Sequence, residues 1–255
     1  MESITKWCNI LPFPKQWKKI ITDASKDFDR YRNSALPMDN LLKTLCDCEQ
    51  LAADYQKMKI SESILIDTLK DVVVWTKNYH TVSGEIGLTE MDWIKSIMEM
   101  RLFRLGRLQF RYGKAKEKNE RLKIKTGDPV TEVHIPQGEP LDIEACKKSF
   151  ERAIVFFERY YPQCSYKYFC CESWLLDFHL KDFLNENSNI IKFQSLFDIV
   201  SYFESGQAVE RLFTYNADKL NESSLQRAVK NHIKNGGKLF EGYGFADKEK
   251  FTEGV

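Results

Sequence analysis

No apolar run in the sequence approaches the roughly 18 residues that a membrane-spanning helix needs; Ala153 to Phe157 is among the longest. Charge of one sign is missing too. The 38 Lys and Arg residues against 37 Asp and Glu leave a formal +1, so no global field draws the chain to nucleic acid or to an anionic membrane, and neither is expected as a partner. Met1-Glu2-Ser3-Ile4 lacks the basic segment followed by an apolar one that marks a secretory signal. Seven cysteines, odd in number and irregularly spaced, do not make a disulfide framework, and the expectation is reduced thiols in a cytoplasm. A metal set is also lacking. Cys46 and Cys48 fall two apart on an expected helix, where they do not face one site, and no second Cys/His pair completes a zinc site.

What is present is an ordinary globular mix, 43% hydrophobic and 29% charged, in a 255-residue chain with room for one large or two small domains. The rest of the chain is organised around Val130 to Tyr161. Thr131, Val133 and Ile135 alternate with Glu132 and His134, the period of a strand with one buried face. Pro136-Gln137-Gly138-Glu139-Pro140 breaks regular structure. Ile143, Cys146, Phe150, Ala153, Ile154, Phe157 and Tyr161 then recur at helical spacing, and Pro162 stops the helix. A strand feeding a helix through a glycine loop points backbone N–H groups outward, where an anion can bind.

Residues 1–100 read as a bundle of four helices, a packing or lid domain without a catalytic motif. The first starts at Pro14 and buries Trp17, Ile20, Ile21, Ala24, Phe28 and Tyr31. The second, about 38–58, turns Leu41, Leu42, Leu45, Leu51, Ala52 and Tyr55 inward. The third, near 63–79, buries Leu65, Leu69, Val72 and Val73. The fourth starts at a Thr89 N-cap with Asp92 three residues on, and Leu88 with Trp93 forms a staple.

From residue 101 the period changes. Leu108, Phe110 and Tyr112 alternate with Arg107, Gln109 and Arg111, a strand with a wet face. The charged segment 113–125 reads as an exposed turn and a second strand around Leu122 and Ile124, so three strands form a meander. Beyond the central helix, Tyr166 to Ser173 is a strand, and the strand–helix–strand unit requires a parallel crossover. A short helix over 176–184, strands over 190–203 and 209–213, and a last helix with a Ser223/Gln226 capping box, ended by Gly236-Gly237, complete the chain. The expected fold class is α/β of the α+β kind. A helical bundle over 1–100 precedes a mixed sheet with a central parallel strand pair over 101–255.

That order of elements resembles the acyl-CoA N-acyltransferase fold of the GNAT superfamily. More specifically, five stretches are similar to a bacterial family that joins an N-terminal helical N-acyltransferase domain to a GNAT-like C-terminal domain. They are 102–110 (Leu-Phe-Arg-Leu-Gly-Arg-Leu-Gln-Phe), His134-Ile135-Pro136 with Gly138, Ser173-Trp174-Leu175-Leu176, Ser188-Asn189-Ile190 with Phe193, and Ser224-Leu225-Gln226-Arg227-Ala228. The resemblance implies an acyl-CoA donor and an amine acceptor, small molecule or peptide. It sets neither acyl chain length nor oligomeric state. In GNAT enzymes a loop of the form Gln/Arg-x-x-Gly-x-Gly/Ala cradles the diphosphate, and the pantetheine arm lies where two parallel strands part. Carried over, this implies cofactor contacts at Ile135, Gln137, Gly138, Leu141, Lys147 and Cys171.

Here the loop has one glycine, and Pro140 removes an N–H donor. Glu139, Asp142 and Glu144 crowd the helix start, partly offset by Lys147 and Lys148. These departures favour the alternative of a GNAT-like fold without catalysis, acting as a ligand-binding or interaction module; the family resemblance favours the enzyme.

Amine acylation needs a base for the amine proton and a donor near the thioester sulfur. Glu132 and His134 share one strand face. An unperturbed histidine titrates near neutrality, which suits a base that Glu132 orients, although a strand's ordinary polar face has the same pattern. Ser173, at the end of the second central strand, is placed to donate toward the sulfur or to cap the next helix. Cys170-Cys171 invites a nucleophile reading, but no Cys-His spacing supports it and buried thiols are common in cores. The Lys114, Lys116, Lys118, Arg121, Lys123 and Lys125 run reads as a solvated hairpin or as a contact for the 3′-phosphate of CoA.

Overall fold

The computed structural model describes residues 1–29, 34–216 and 221–252. The chain divides into two compact units, Met1–Arg104 and the remainder from Leu105.

The first unit contains α1 (Glu2–Ile10), α2 (Lys15–Ala24), α3 (Pro37–Lys57), α4 (Glu62–Ser83), α5 (Met91–Met98) and the short strand β1 (Leu102–Arg104). α1 is absent from the sequence reading. It buries Ile4, Trp7 and Cys8 and fastens to α3 through Ser3 Oγ, which donates to Cys46 O at 3.0 Å, and through Lys6 and Trp7, which both reach Glu49. The next helix is shorter than its apolar period. α2 ends at Ala24, a 3-10 turn follows over Ser25–Asp27, and Ile20 is 48% exposed, so Trp17 and Ile21 carry the buried face. Tyr31, expected on the same stripe, lies outside the described residues.

α3 and α4 bury the leucines and valines expected of them, except that Ala52 is only half-buried. α5 starts later than Thr89 implies: Glu90 is the cap residue and makes no side-chain capping bond. Trp93 is held to α4 instead, its Nε1 donating to Asp71 Oδ2 at 2.7 Å. A tertiary bond has replaced a local one.

The second unit contains β2 (Gln109–Lys114), β3 (Pro129–His134), α6 (Ile143–Tyr160), β4 (Tyr168–Ser173), α7 (Leu180–Phe183), α8 (Asn189–Gln194), β5 (Asp198–Glu204), α9 (Gln207–Val209), α10 (Ser224–Lys234) and β6 (Phe240–Asp247). These strands are ordered β2-β3-β4-β6-β5. β3 and β4 are parallel; the other neighbours are antiparallel. The parallel pair is joined by α6, whose Cys146, Phe150, Ala153, Ile154 and Phe157 stripe is as the sequence predicts; the structure adds Asp142 as its cap. Phe150 is the hub of this face. It stacks on Phe251 at 4.1 Å and meets Phe169 and Phe110 edge-on at 4.8 and 5.6 Å. Cys170, on the alternate face of β4, joins Ala115, Ile124, Val130, Tyr243 and Phe245 in a second apolar cluster.

Local expectations are overturned in four regions of this unit. First, the face of β2 read as wet is wet only at Arg111: Gln109, and Arg107 just before the strand, are buried. Second, residues 115–128 form a loop with one isolated bridge, Asn119 to Ile124, rather than a strand. The loop is pinned to the sheet, with Asn119 Nδ2 donating to Asp198 Oδ2 at 2.7 Å and Lys116 N to the Tyr243 hydroxyl at 3.0 Å. Its apolar residues face the core while its lysines stay in water.

Third, 190–203 is part helix: Ser188 caps α8, and strand begins only at Asp198. Residues 209–213 lie in the end of α9 and the π-turn Glu210–Thr214. The expected helix over 176–184 is also split, into the 3-10 turn Trp174–Leu176 and α7. Fourth, β6 was not anticipated, because Gly242 and Gly244 weaken its strand signal. Both glycines permit close approach. A Cβ at Gly242 would lie 2.8 Å from Leu176 Cβ, and one at Gly244 would lie 3.1 Å from Asp198 O.

Candidate functional site

The parallel ladder fixes where a cleft opens. β3 and β4 pair at Thr131–Phe169, Glu132–Cys170 and Val133–Cys171, and the register ends there. Both strands continue with outer partners only: His134 lies opposite Gln109 on β2, while Glu172 and Ser173 lie opposite Tyr243 and Gly242 on β6. The two central strands therefore part at the level of His134 and Ser173.

Glu132 and His134 share the face the alternation predicts, and they are brought together. Glu132 Oε2 lies 3.5 Å from His134 Nε2, 2.6 Å from Arg111 Nε and 2.5 Å from Arg111 Nη2. Arg111 stands directly opposite Glu132 in the β2–β3 register, so the strand pairing itself builds this ion pair. Gly113 makes room for it, since a Cβ there would collide with the Glu132 carboxylate. Burial pushes the Glu132 carboxyl upward, but the His134 ring and the Arg111 guanidinium outweigh it and hold the group below the ordinary glutamate range. Glu132 is thus a carboxylate that steadies the ring beside it.

Ser173 ends β4 and is buried, its Oγ accepting from Leu175 N at 3.1 Å. Cys171 is wholly enclosed, and burial raises its thiol well above the usual range; burial also pushes Cys170 up to about 12. Both are core residues, which removes the nucleophile reading. Trp174 packs against Ala208, Val229 and Leu239. All seven cysteines are free. Among the described residues no group of three His, Cys, Asp or Glu side chains is placed to hold a metal, and no helix is long and apolar enough to cross a membrane.

The loop between β3 and α6 is built from beneath. Arg107, only 7% exposed, donates from Nε to Pro140 O at 2.8 Å, from Nη1 to Pro136 O at 3.0 Å and from Nη2 to Glu139 O at 2.8 Å. Ile135, Gln137 and Leu141 are half-buried along this loop. Gly138 is exposed, with φ +103°, a backbone conformation that disfavours any side chain, and nothing lies within 4 Å of where its Cβ would be. At the helix start Asp142 Oδ1 accepts from Ala145 N at 2.8 Å, so one of the donors expected for an anion is taken by the protein's own carboxylate. Lys147 Nζ donates to Glu144 Oε1 at 2.9 Å. Lys123 and Lys125 are exposed on the 115–128 loop.

Arg107 is the residue the sequence reading missed as part of the site. Its signal is a charge set between Leu105 and Leu108 in a run that is otherwise rich in Leu and Phe.

A parallel pair that parts beyond a β-loop-α turn is the geometry of an acyl-CoA-type fold, and the comparisons agree. Residues 102–246 match the family described as the GNAT-like C-terminal domain. The chain belongs to this family. Residues 26–100 of this GNAT-like protein match the N-acyltransferase N-terminal domain. Among solved structures it is similar to an acyltransferase in complex with decanoyl-CoA and teicoplanin, at 26% identity and a TM-score of 0.71, over 81% of this chain and 65% of that one. An acyltransferase in complex with decanoyl-CoA is similar at 27% identity and a TM-score of 0.71, over 82% and 65%. The GNAT-like chain therefore spans less than two thirds of the length of both. An acyltransferase mutant in complex with octanoyl-CoA shares the fold at 22% identity, with a TM-score of 0.79 over 97% of this chain and 88% of that one. No curated protein matches the chain.

Proposed function

We propose that this GNAT-like protein is an acyl-CoA-dependent N-acyltransferase that moves an acyl group from CoA to the amine of a small-molecule or peptide acceptor. The observation that carries the reading is the parting of β3 and β4 with Glu132–His134 on one strand and Ser173 on the other. In this reading the loop 136–141 receives the diphosphate and the pantetheine arm runs to the gap between the strands. Ile135, Gln137, Gly138 and Leu141 border that path, with Lys147 and Cys171 behind it. As the acceptor nitrogen attacks the thioester carbonyl, the C–N bond forms and the C–S bond breaks. The amine proton passes to His134, and the sulfur leaves as a thiolate whose charge the Ser173 hydroxyl meets. Glu132, fixed by Arg111, holds the imidazole beside it. Decanoyl-CoA and octanoyl-CoA are the first donors to try and teicoplanin the first acceptor, because they occupy the similar enzymes.

The test has two parts. Thermal unfolding is measured with CoA, octanoyl-CoA and decanoyl-CoA; a ligand at 100 times its dissociation constant adds about 2.7 kcal/mol. Acyl transfer by wild type and His134→Ala is then followed by mass spectrometry. Loss of the general base lowers turnover by a factor on the order of 10²–10⁴, with acyl-CoA binding retained. No stabilisation by any acyl-CoA would favour the non-catalytic binding module, and unchanged turnover in His134→Ala would remove that residue as the base.

A further inference from the structure

The acids at the start of α6 oppose a diphosphate, and the loop lacks the second glycine of the GNAT pattern. Something else must make this turn hospitable to an anion. Beneath the loop lies Arg107, a buried guanidinium that donates from Nη1, Nη2 and Nε to the main-chain carbonyls of Pro136, Glu139 and Pro140. Its own position is fixed from the helix side. Ser149 Oγ accepts from Arg107 N at 2.8 Å and from Leu108 N at 3.3 Å, while donating to Ala145 O at 2.9 Å. Gly106 permits this closeness, since a Cβ there would sit 2.9 Å from Ser149 Oγ.

The consequence for the loop is geometric. No peptide bond here is cis, and across a trans peptide the carbonyl and the following N–H point to opposite sides. Drawing the Pro136 and Pro140 carbonyls down onto Arg107 therefore turns the N–H groups of Gln137 and Leu141 away from it, toward the open side above Gly138. The inward Glu139 carbonyl is followed by Pro140, which has no N–H, so no donor is wasted there. The guanidinium also sets a permanent positive charge directly under the turn, opposing Glu139, Asp142 and Glu144.

We propose that Arg107 is the positioning residue of the donor site: its fork holds the 136–141 loop with its N–H groups outward and its charge beneath them, so that the loop accepts the diphosphate of a CoA-type nucleotide. The inference rests on the acyl-CoA reading above. It assigns to a buried arginine under the loop what a second glycine and an acid-free helix start supply elsewhere.

The experiment compares wild type, Arg107→Met and Arg107→Lys, using acyl-CoA and acyl-pantetheine, which carries the same thioester but no diphosphate. Folding of each variant is checked by circular dichroism. Arg107→Met should raise KM for acyl-CoA about tenfold or more, the loss expected of charge-assisted bonding, with a much smaller change in kcat. The ratio of kcat/KM for acyl-CoA to that for acyl-pantetheine should fall by about the same factor. Arg107→Lys keeps the charge but not the three-pronged fork, and should fall between the two. If Arg107→Met does not fold, the Arg107→Lys ratio decides alone: a fall below wild type supports the role. Equal losses on the two donors would show a merely structural arginine, and an unchanged ratio would show no role; either overturns the proposal. Failure of the wild-type protein to bind CoA would overturn the acyl-CoA reading itself, and this inference with it.

Discussion

Replacing Glu132 with Gln keeps the shape of the side chain and removes its charge, leaving Arg111 without its ionic partner. The side chains of Glu132 and Arg111 are 17% and 29% exposed, between the two regimes in which such pairs have been measured. Breaking a fully buried pair costs about 3–5 kcal/mol. An exposed pair contributes about 0–1 kcal/mol. The geometry here, two short contacts on one carboxylate oxygen at a partly wet strand face, places the loss at about 1–3 kcal/mol near pH 7. For a unit of this size that is on the order of 2–4 °C in melting temperature per kcal/mol.

The pH dependence is the sharper part of the prediction. The carboxyl is held below its ordinary value of 4.5 in the folded protein, so its contribution is complete above that value and is lost as pH falls through the lower folded one. The stability difference between wild type and Glu132→Gln should therefore be largest near neutrality and shrink toward zero below about pH 4. Urea unfolding of both proteins at a series of pH values measures it. A difference already absent at pH 7, or one that stays constant down through pH 4, would refute the argument that the Arg111–Glu132–His134 cluster holds a half-buried carboxylate.

Two further outcomes follow from the packing. Phe150→Ala empties the centre of the aromatic cluster with Phe110, Phe169 and Phe251, and should destabilise the second unit by about 3–5 kcal/mol in urea unfolding; a loss under about 1 kcal/mol would mean that the site collapses and Phe150 is not the hub. Alkylation of the native protein followed by peptide mapping should modify the half-buried Cys46 and Cys164 first. Cys8, Cys48, Cys146, Cys170 and Cys171, which are buried, should react only on unfolding, and fast modification of Cys170 would contradict the enclosed thiol described above.

Sequence alone determined the elements whose signals are local. The alternation over 131–135, the apolar stripe of α6, the parallel crossover it forces and the Ser223/Gln226 capping box all follow from period, caps and chain connectivity. It also put Glu132 and His134 on one face, because a strand's side chains alternate whatever packs against them.

Tertiary structure decided the rest. Arg107 looks like half of a wet face until three carbonyls from a loop some thirty residues away close on its guanidinium. Trp93 reads as a local staple until Asp71 of another helix takes its N–H. The β6 segment is too rich in glycine to be recognised as a strand, yet the turn at Leu176 and the backbone at Ile199 press close against it, so that a Cβ at Gly242 would have to displace Leu176 and one at Gly244 would crowd Ile199. In each case a partner distant in sequence outweighs a local preference worth a kcal/mol or less, and no window of neighbouring residues contains that partner.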